Sequence, residues 1–455
     1  MFGTSGVRGP VGETVTGPVA IGLGRALGSM AGRIVVGRDA RPGGDALARA
    51  AIAGAQEAGT EVVDVGIEST PTVARAVEWY DAEAGLVVTG SHNPPEDNGF
   101  KFWTRRGHAF GPHLNRMLVQ GAAASDPPTV DPGAMGTVRA VEDAAERHLQ
   151  RLPEADLGDR SVVVDVGHGT GRLTADALRE MGCSVTTVDP HHGDAAAGRP
   201  TADSCAVLSQ VVVDTDADLG IAHDADADRT LAVDETGAFV SGDELLALFA
   251  IEMVPADARV AATINASSVV DAVVEQLGGS VVRTAVGDGP VGAACLADDV
   301  VFGGDPSGAW IWPDEALSPD GHYAACRLTE IVASGSPLSE RVAALPDLIT
   351  HRESVACDDP AAARSHVETQ VRERHDAVTD VDGVRADLDG GWFLVRESGT
   401  EPLLRLTAEA RTADRAAEIR TEARELVRDA LRATRDGADP DGERRNENVP
   451  TANES

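Results

Sequence analysis

Short, wholly apolar runs alternate along the chain with longer stretches in which apolar positions recur every three or four residues. The first pattern predicts strands buried on both faces and the second amphipathic helices. In the first third, strands are expected at 33–36, 61–65 and 85–88 and helices at 15–30 and 44–58. The alternation then repeats, with a helix at 141–151, a strand at 161–166, a helix ending at 181, and strands at 184–189, 219–222 and 230–233. A third stretch carries a helix over 244–253 and a strand over 260–264. The last has a helix at 361–374, strands at 392–395 and 403–408, and a helix at 414–433. Such alternation predicts βαβ units on largely parallel sheets, an α/β fold.

A chain of 455 residues is too long for one core and divides into about three or four domains. Residues 121–136, rich in Ala, Pro and Gly, read as a linker or surface loop. The segments are 1–135, 136–242, 243–348 and 349–435, and 436–455, polar and aperiodic, is expected to be a disordered tail.

The net charge is −35, and of the 39 lysines and arginines only Lys101 is a lysine. With 3% aromatics, this reads as the solvated acidic surface of a protein adapted to high salt, where self-repulsion is screened. It argues against nucleic-acid binding, which needs a basic face. No apolar run approaches the ~20 residues of a membrane span, and no signal peptide opens the chain, so a cytoplasmic protein without membrane partners is expected. Cys183, Cys205, Cys295, Cys326 and Cys357 are scattered without ligand spacing and read as small buried hydrophobes.

Candidate chemistry gathers on loops. Ser91, in Thr89-Gly-Ser-His-Asn-Pro94, follows the strand at 85–88, and the carboxyl ends of such strands hold ligands in open α/β sheets. Gly90 and Pro94 suit a tight loop with an exposed hydroxyl. Lys101 stands ten residues on in a chain that otherwise uses arginine, and lysine, unlike arginine, can give up a proton when burial or nearby cations lower its pKa. Asp224, Asp226 and Asp228, at alternate positions of an extended loop, would project to one side and share a hard cation such as Mg²⁺. An EF-hand is excluded, because Arg229 stands where that loop needs glycine and the flanks read as strands. Arg8, presented by a glycine-rich turn, can fork onto phosphate oxygens. Gly167-His-Gly-Thr-Gly171 between a strand and a helix suggests a dinucleotide loop and hence an oxidoreductase, but the third glycine of that fingerprint is missing. Asp305 and Ser307 offer an acceptor and a hydroxyl for sugar hydroxyls. Arg396, Ser398, Gly399 and Thr400 could enclose a phosphate dianion.

Taken together, Thr89 to Pro94, Asp224 to Arg229, Gly304-Asp-Pro-Ser-Gly308 and Arg396 to Pro402 resemble, in order and spacing, the α-D-phosphohexomutase superfamily over all but the tail. The resemblance implies three related α/β domains with mixed sheets and a smaller α+β C-terminal domain around a central cleft. It implies that Ser91 carries a phosphoryl group and joins Asp224, Asp226 and Asp228 on Mg²⁺, with Arg8, Lys101, His92 and Arg229 as the catalytic side chains beside it and Lys101 as acid/base. Asp305 and Ser307 would read the sugar, and Arg396, Ser398, Gly399 and Thr400 would grip the phosphate that is not reacting. A hexose phosphate would pass through a bisphosphate, exchanging its 1- and 6-positions, in a monomer or homodimer. Gly303-Gly304, Val286-Gly-Asp288 and Ser398 to Pro402 look most like phosphoglucosamine mutases, with phosphomannomutase and phosphoglucomutase as alternatives. Three positions depart from the pattern: Asp305 replaces the usual glutamate, Ala309 a histidine and Gly289 a basic residue. His322 is expected at the surface. The same serine and cation could serve a metal-dependent phosphatase, in which water takes the phosphoryl group.

Overall fold

The computed structural model describes residues 2–3, 6–124, 129–167, 169–188, 199–398 and 401–438. They divide into two compact units, Met1–Pro346 and Asp347–Ser455.

The first unit contains three sheets that share one topology. In the first, Glu61–Ile67, Arg33–Arg38 and Ala84–Val88 are parallel neighbours, and Asp97–Thr104 closes antiparallel on the last of them. In the second, Ser184–Val188, Ser161–Asp165 and Leu219–Ala222 are followed by antiparallel Leu231–Asp234. The third repeats this with Ser280–Thr284, Arg259–Thr263, Val300–Asp305 and antiparallel Ala309–Ile311. The sheets are therefore mixed rather than largely parallel. The loop between third and fourth strands is, in order, the serine loop, the aspartate loop and the Asp305 loop, so three functional loops occupy one topological position.

Alternation along the strands explains the first core. Ile34, Val36, Leu86 and Val88 face the helices Gly17–Gly28 and Gly44–Glu57, while Val35 and Val87 face Thr70–Trp79 on the other side. The first two helices touch closely, since a Cβ on Gly24 would stand 1.9 Å from the Ala51 carbonyl oxygen. This sheet also takes in Gly6–Pro10, and its far edge strand is Val138–Ala140, just past residue 135.

The second unit has one antiparallel sheet, ordered Ile349–Ala356, Leu403–Ala410, Gly391–Glu397, Val384–Leu388 and Val378–Thr379, with helices Pro360–Arg374 and Ala413–Ala438. The last helix runs three residues into the expected tail, and the rest of that tail lies outside the described residues. All five cysteines are buried and free, as expected. Among the described residues no helix is long and apolar enough to cross a membrane.

Candidate active site

Ser91 sits directly beyond Ala84–Val88 in the left-handed region, with φ 51°, a conformation a non-glycine residue adopts only when its surroundings hold it there. The holding is done from beneath. Arg41 donates to the carbonyls of Pro94 (2.8 Å), Asp97 (3.0 Å) and Asn93 (2.7 Å), and also to that of Ser91. Asp39 accepts from Thr89 Oγ1 at 2.6 Å and from the Arg41 amide at 3.0 Å, and Thr89 Oγ1 accepts from the Ser91 amide at 2.8 Å. Burial pushes Asp39 up to about 6, against the pull of its hydrogen bond from Thr89. The Ser91 side chain is not exposed, as the loop composition suggested: it is fully buried, and Oγ donates to Asp224 Oδ2 at 2.9 Å. The aspartate loop covers it.

That loop is a tight turn rather than an extended segment. The Ala227 amide donates to the Asp224 carbonyl at 3.1 Å, and Ala227 has φ 50°. The three carboxylates nevertheless converge, with one oxygen from each lying within 4.8 Å of the others. Asp226 Oδ2 accepts from Thr70 Oγ1 and Lys101 Nζ, each at 2.6 Å, and Lys101 also reaches Asp228 Oδ2. One oxygen of each aspartate, Oδ1, is buried without a hydrogen-bond partner among the described residues. Buried polar atoms are rarely left so, and orphaned oxygens on three adjacent carboxylates fit a hard divalent cation. The electrostatics agree. Burial, then Asp228 and Asp226, hold Asp224 well above the ordinary carboxylate range, and burial with Asp226 raises Asp228, while Asp226 alone is pulled below it because Lys101 and Thr70 outweigh its burial. Three ionised aspartates here require more positive charge than Lys101 supplies.

Lys101 differs from its expected state. Burial does work against its charge, but Asp226 and Asp228 outweigh burial and Arg8, and its pKa is raised rather than lowered. It lies on Asp97–Thr104, a strand whose polar opening hid it from the hydrophobic pattern. Arg8 is on a strand, not a turn: Gly6–Pro10 pairs antiparallel with that same strand, Arg8 opposite Gly99. Arg8 reaches Asn93 Oδ1 at 3.5 Å, and its buried Nε has no hydrogen-bond partner among the described residues. Arg229 Nε lies 3.7 Å from Asp224 and 3.9 Å from Asp228. His92 Nδ1 is 3.3 Å from Ser91 Oγ, and Arg229, then burial and Arg8, keep that imidazole neutral. The site thus joins one hydroxyl, three carboxylates, three cations and a neutral imidazole.

The Asp305 loop adjoins it. Asp305 Oδ1 accepts from the Ser307 amide at 2.7 Å, and the Thr230 amide, next to Arg229, donates to the Gly308 carbonyl at 2.9 Å. Gly303 and Gly304 are glycines for packing, because a Cβ on either would meet Cys295 and Val291 or Leu246 and Trp310. In the second unit, Arg396 lies opposite Arg405 across two strands, and Arg405 reaches Ser398 Oγ at 3.5 Å. Gly399 and Thr400 lie outside the described residues.

Comparison with known proteins agrees with this arrangement. Four domains described for phosphoglucomutase/phosphomannomutase match in order: the α/β/α domain I at residues 1–128, domain II at 142–237, domain III at 241–349, and the C-terminal domain at 354–426. A protein of Methanopyrus kandleri named "Probable phosphoglucosamine mutase" is 43% identical, over 96% of this chain and 99% of its own. One of the same name from Methanosarcina acetivorans is 39% identical, over 95% and 100%. The chain belongs to the phosphoglucomutase/phosphomannomutase family. A crystal structure of a family member from Burkholderia thailandensis, 27% identical, superposes with a TM-score of 0.84 over 94% of this chain and 97% of that one. The protein is a phosphohexomutase, an isomerase built from the family's four domains.

Several residues that shape this phosphohexomutase site carry no motif. Arg41 and Asp39 support the serine loop, and Thr70 orients Asp226. Behind the aspartate loop lies a buried polar network. His148 Nε2 is 2.9 Å from Asp320 Oδ2, to which Arg75 Nε also donates at 2.8 Å, and His148 Nδ1 is 2.8 Å from Thr72 Oγ1. His322, expected at the surface, is fully buried there, covered by His148 and His223. The glycines of residues 167–171 have a cause other than a nucleotide. A Cβ on Gly167 would stand 2.6 Å from the Asp224 carbonyl oxygen, and one on Gly169 would stand 1.9 Å from that of Ala225. They let two backbones meet, and the oxidoreductase reading falls.

Proposed function

We propose that this phosphohexomutase interconverts glucosamine 6-phosphate and glucosamine 1-phosphate, using Ser91 as the residue that carries the phosphoryl group between turnovers. The observation behind this reading is the placement of Ser91 Oγ 2.9 Å from Asp224, at the edge of three carboxylates with orphaned oxygens. Asp224, Asp226 and Asp228, with a phosphate oxygen on Ser91, would hold a Mg²⁺ ion, which when bound supplies charge neutralisation to the transferring group. Phosphoryl transfer asks a protein mainly for positioning and electrostatic stabilisation. Arg8, Arg229 and Lys101 give three cations around one hydroxyl.

In the first half-reaction the phosphorus–oxygen bond to Ser91 breaks as one forms to a free hydroxyl of the hexose monophosphate. The hydroxyl proton leaves, and Ser91 Oγ regains one. Lys101, held protonated by its two carboxylates, suits the donor role. His92 Nδ1, 3.3 Å from Ser91 Oγ, is assigned to orient that oxygen; the cations around it make its imidazole a weak base, and the sugar hydroxyl's proton is assigned to solvent. The bisphosphate then returns its other phosphate to Ser91. Asp305 and Ser307 are assigned to the sugar, and Arg396, Ser398, Gly399 and Thr400 to the phosphate at rest.

The amino sugar is supported by the names of relatives at 35–43% identity over nearly the whole chain. The test is a coupled assay with Mg²⁺ at high salt on the 1-phosphates of glucosamine, glucose and mannose. A clear kcat/KM preference for the glucosamine phosphate is expected, with activity lost in Ser91→Ala. Preference for glucose or mannose phosphate would overturn the substrate assignment.

A further inference from the structure

The backbone of the aspartate loop is anchored by segments outside it. Its backbone carbonyls are claimed from three segments: that of Ala225 by the Thr170 amide (3.2 Å), that of Asp226 by the Thr70 amide (2.9 Å) and that of Ala227 by the Gly321 amide (3.2 Å). The two ends of the loop are tied by one side chain. His223, just before Asp224, places Nδ1 2.8 Å from the Arg229 carbonyl oxygen.

We propose that His223 is the positioning residue of this loop, held in one tautomer by Thr174 and His322, and that this buried relay sets the affinity for the divalent cation. The inference rests on reading Asp224, Asp226 and Asp228 as cation ligands. The tautomers follow from the partners. A carbonyl can only accept, so Nδ1 of His223 bears the proton and Nε2 is left as an acceptor. Nε2 lies 2.8 Å from Thr174 Oγ1, whose proton therefore points to it. The Thr174 oxygen then accepts from His322 Nδ1, also at 2.8 Å. That leaves His322 Nε2 bare of a proton, and it is buried with no hydrogen-bond partner among the described residues. A relay running the other way would bury an N–H there unpaired and aim two lone pairs at each other at Arg229. Thr174 and His322 are fully buried and His223 nearly so, leaving no solvent to replace a lost link.

Removing the Thr174 hydroxyl frees His223 to rotate or change tautomer, which loosens the loop while leaving every cation ligand in the chain. Partners that orient metal ligands typically govern affinity by about 10–100-fold. The experiment uses the full-length, metal-free protein and Mn²⁺ as the probe, with free ion measured by electron paramagnetic resonance. Thr174→Val and His322→Phe each remove one link, so one can carry the test if the other fails to fold, and Thr174→Ser restores the hydroxyl. We expect at least about tenfold weaker Mn²⁺ binding in the two disruptive variants and binding within about twofold of wild type in Thr174→Ser. The hexose phosphate KM at saturating metal should barely move. Unchanged Mn²⁺ binding in a folded Thr174→Val or His322→Phe overturns the relay, as does equal weakening in Thr174→Ser, which would make packing the cause. Asp226→Asn separates the two readings: if it binds Mn²⁺ as wild type does, the cation assignment itself is wrong.

Discussion

Gly169→Ala tests the cause assigned to the glycines of residues 167–171. Gly169 has no left-handed φ, so alanine is allowed by its backbone and the perturbation is steric alone. The new Cβ would stand 1.9 Å from the Ala225 carbonyl oxygen and 2.8 Å from its carbon. An ordinary carbon–oxygen contact is about 3.3 Å, so the two backbones must part by about 1.4 Å. Ala225 lies between Asp224 and Asp226, and a shift of that size reaches two carboxylates directly. Misplacement by about 1 Å can cost on the order of 10²-fold in rate. Overpacking costs about 1–3 kcal/mol, within the stability of an ordinary domain, so the variant should fold. The assay is kcat/KM in the coupled mutase reaction beside the thermal midpoint, with Gly133→Ala as control because, among the described residues, nothing lies within 4 Å of its added Cβ. We expect a loss of about 10²-fold in Gly169→Ala and none in the control. A folded Gly169→Ala with wild-type kcat/KM would refute the close-approach argument.

Mg²⁺ should raise the thermal midpoint of the wild-type protein, by about 2.7 kcal/mol of stability at a hundred times its Kd, and Asp226→Asn should abolish that rise. Ala227→Gly should relieve a left-handed alanine and stabilise the fold by about 0.5–1 kcal/mol in urea titration, with mutase activity retained. Burial pushes Glu68 up to about 7 against a backbone hydrogen bond from Ala145. Because the folded pKa lies above the unfolded one, this group's contribution to stability is full below about pH 4.5 and is lost as pH rises through about 7. Glu68→Gln should therefore flatten the fall in urea midpoint between pH 5 and pH 8 and stabilise the protein at pH 8 by about 1–2 kcal/mol, and an unchanged slope would exclude Glu68 as its source.

The parts of the site legible in the sequence are those with a local cause. Ser91 follows an apolar strand, and Asp224, Asp226 and Asp228 fall within five residues, so neither needs a distant partner to be recognised. Lys101 stood out by composition, but the sign of its pKa shift depends on two aspartates more than a hundred residues away. The relay was invisible for the same reason, since Thr174 meets its two histidines across 49 and 148 positions. Gly6–Pro10 contains two glycines and a proline and gives no strand signal, because its register is imposed by Asp97–Thr104. The glycines of residues 167–171 suggested a dinucleotide loop, because the sequence does not say what approaches them. A glycine reports missing space, and a phosphate and a neighbouring carbonyl demand it alike.

The central claim is that Ser91 carries the phosphoryl group between turnovers. The most direct measurement charges the Mg²⁺-supplemented protein with a hexose bisphosphate, removes excess ligand, and locates phosphate by mass spectrometry of peptides before and after a chase with glucosamine 6-phosphate. One phosphoryl group on Ser91, discharged by the chase into bisphosphate and absent from an inactive Ser91→Ala, is the predicted result. Phosphate on another residue, or mutase activity surviving in Ser91→Ala, would contradict the account.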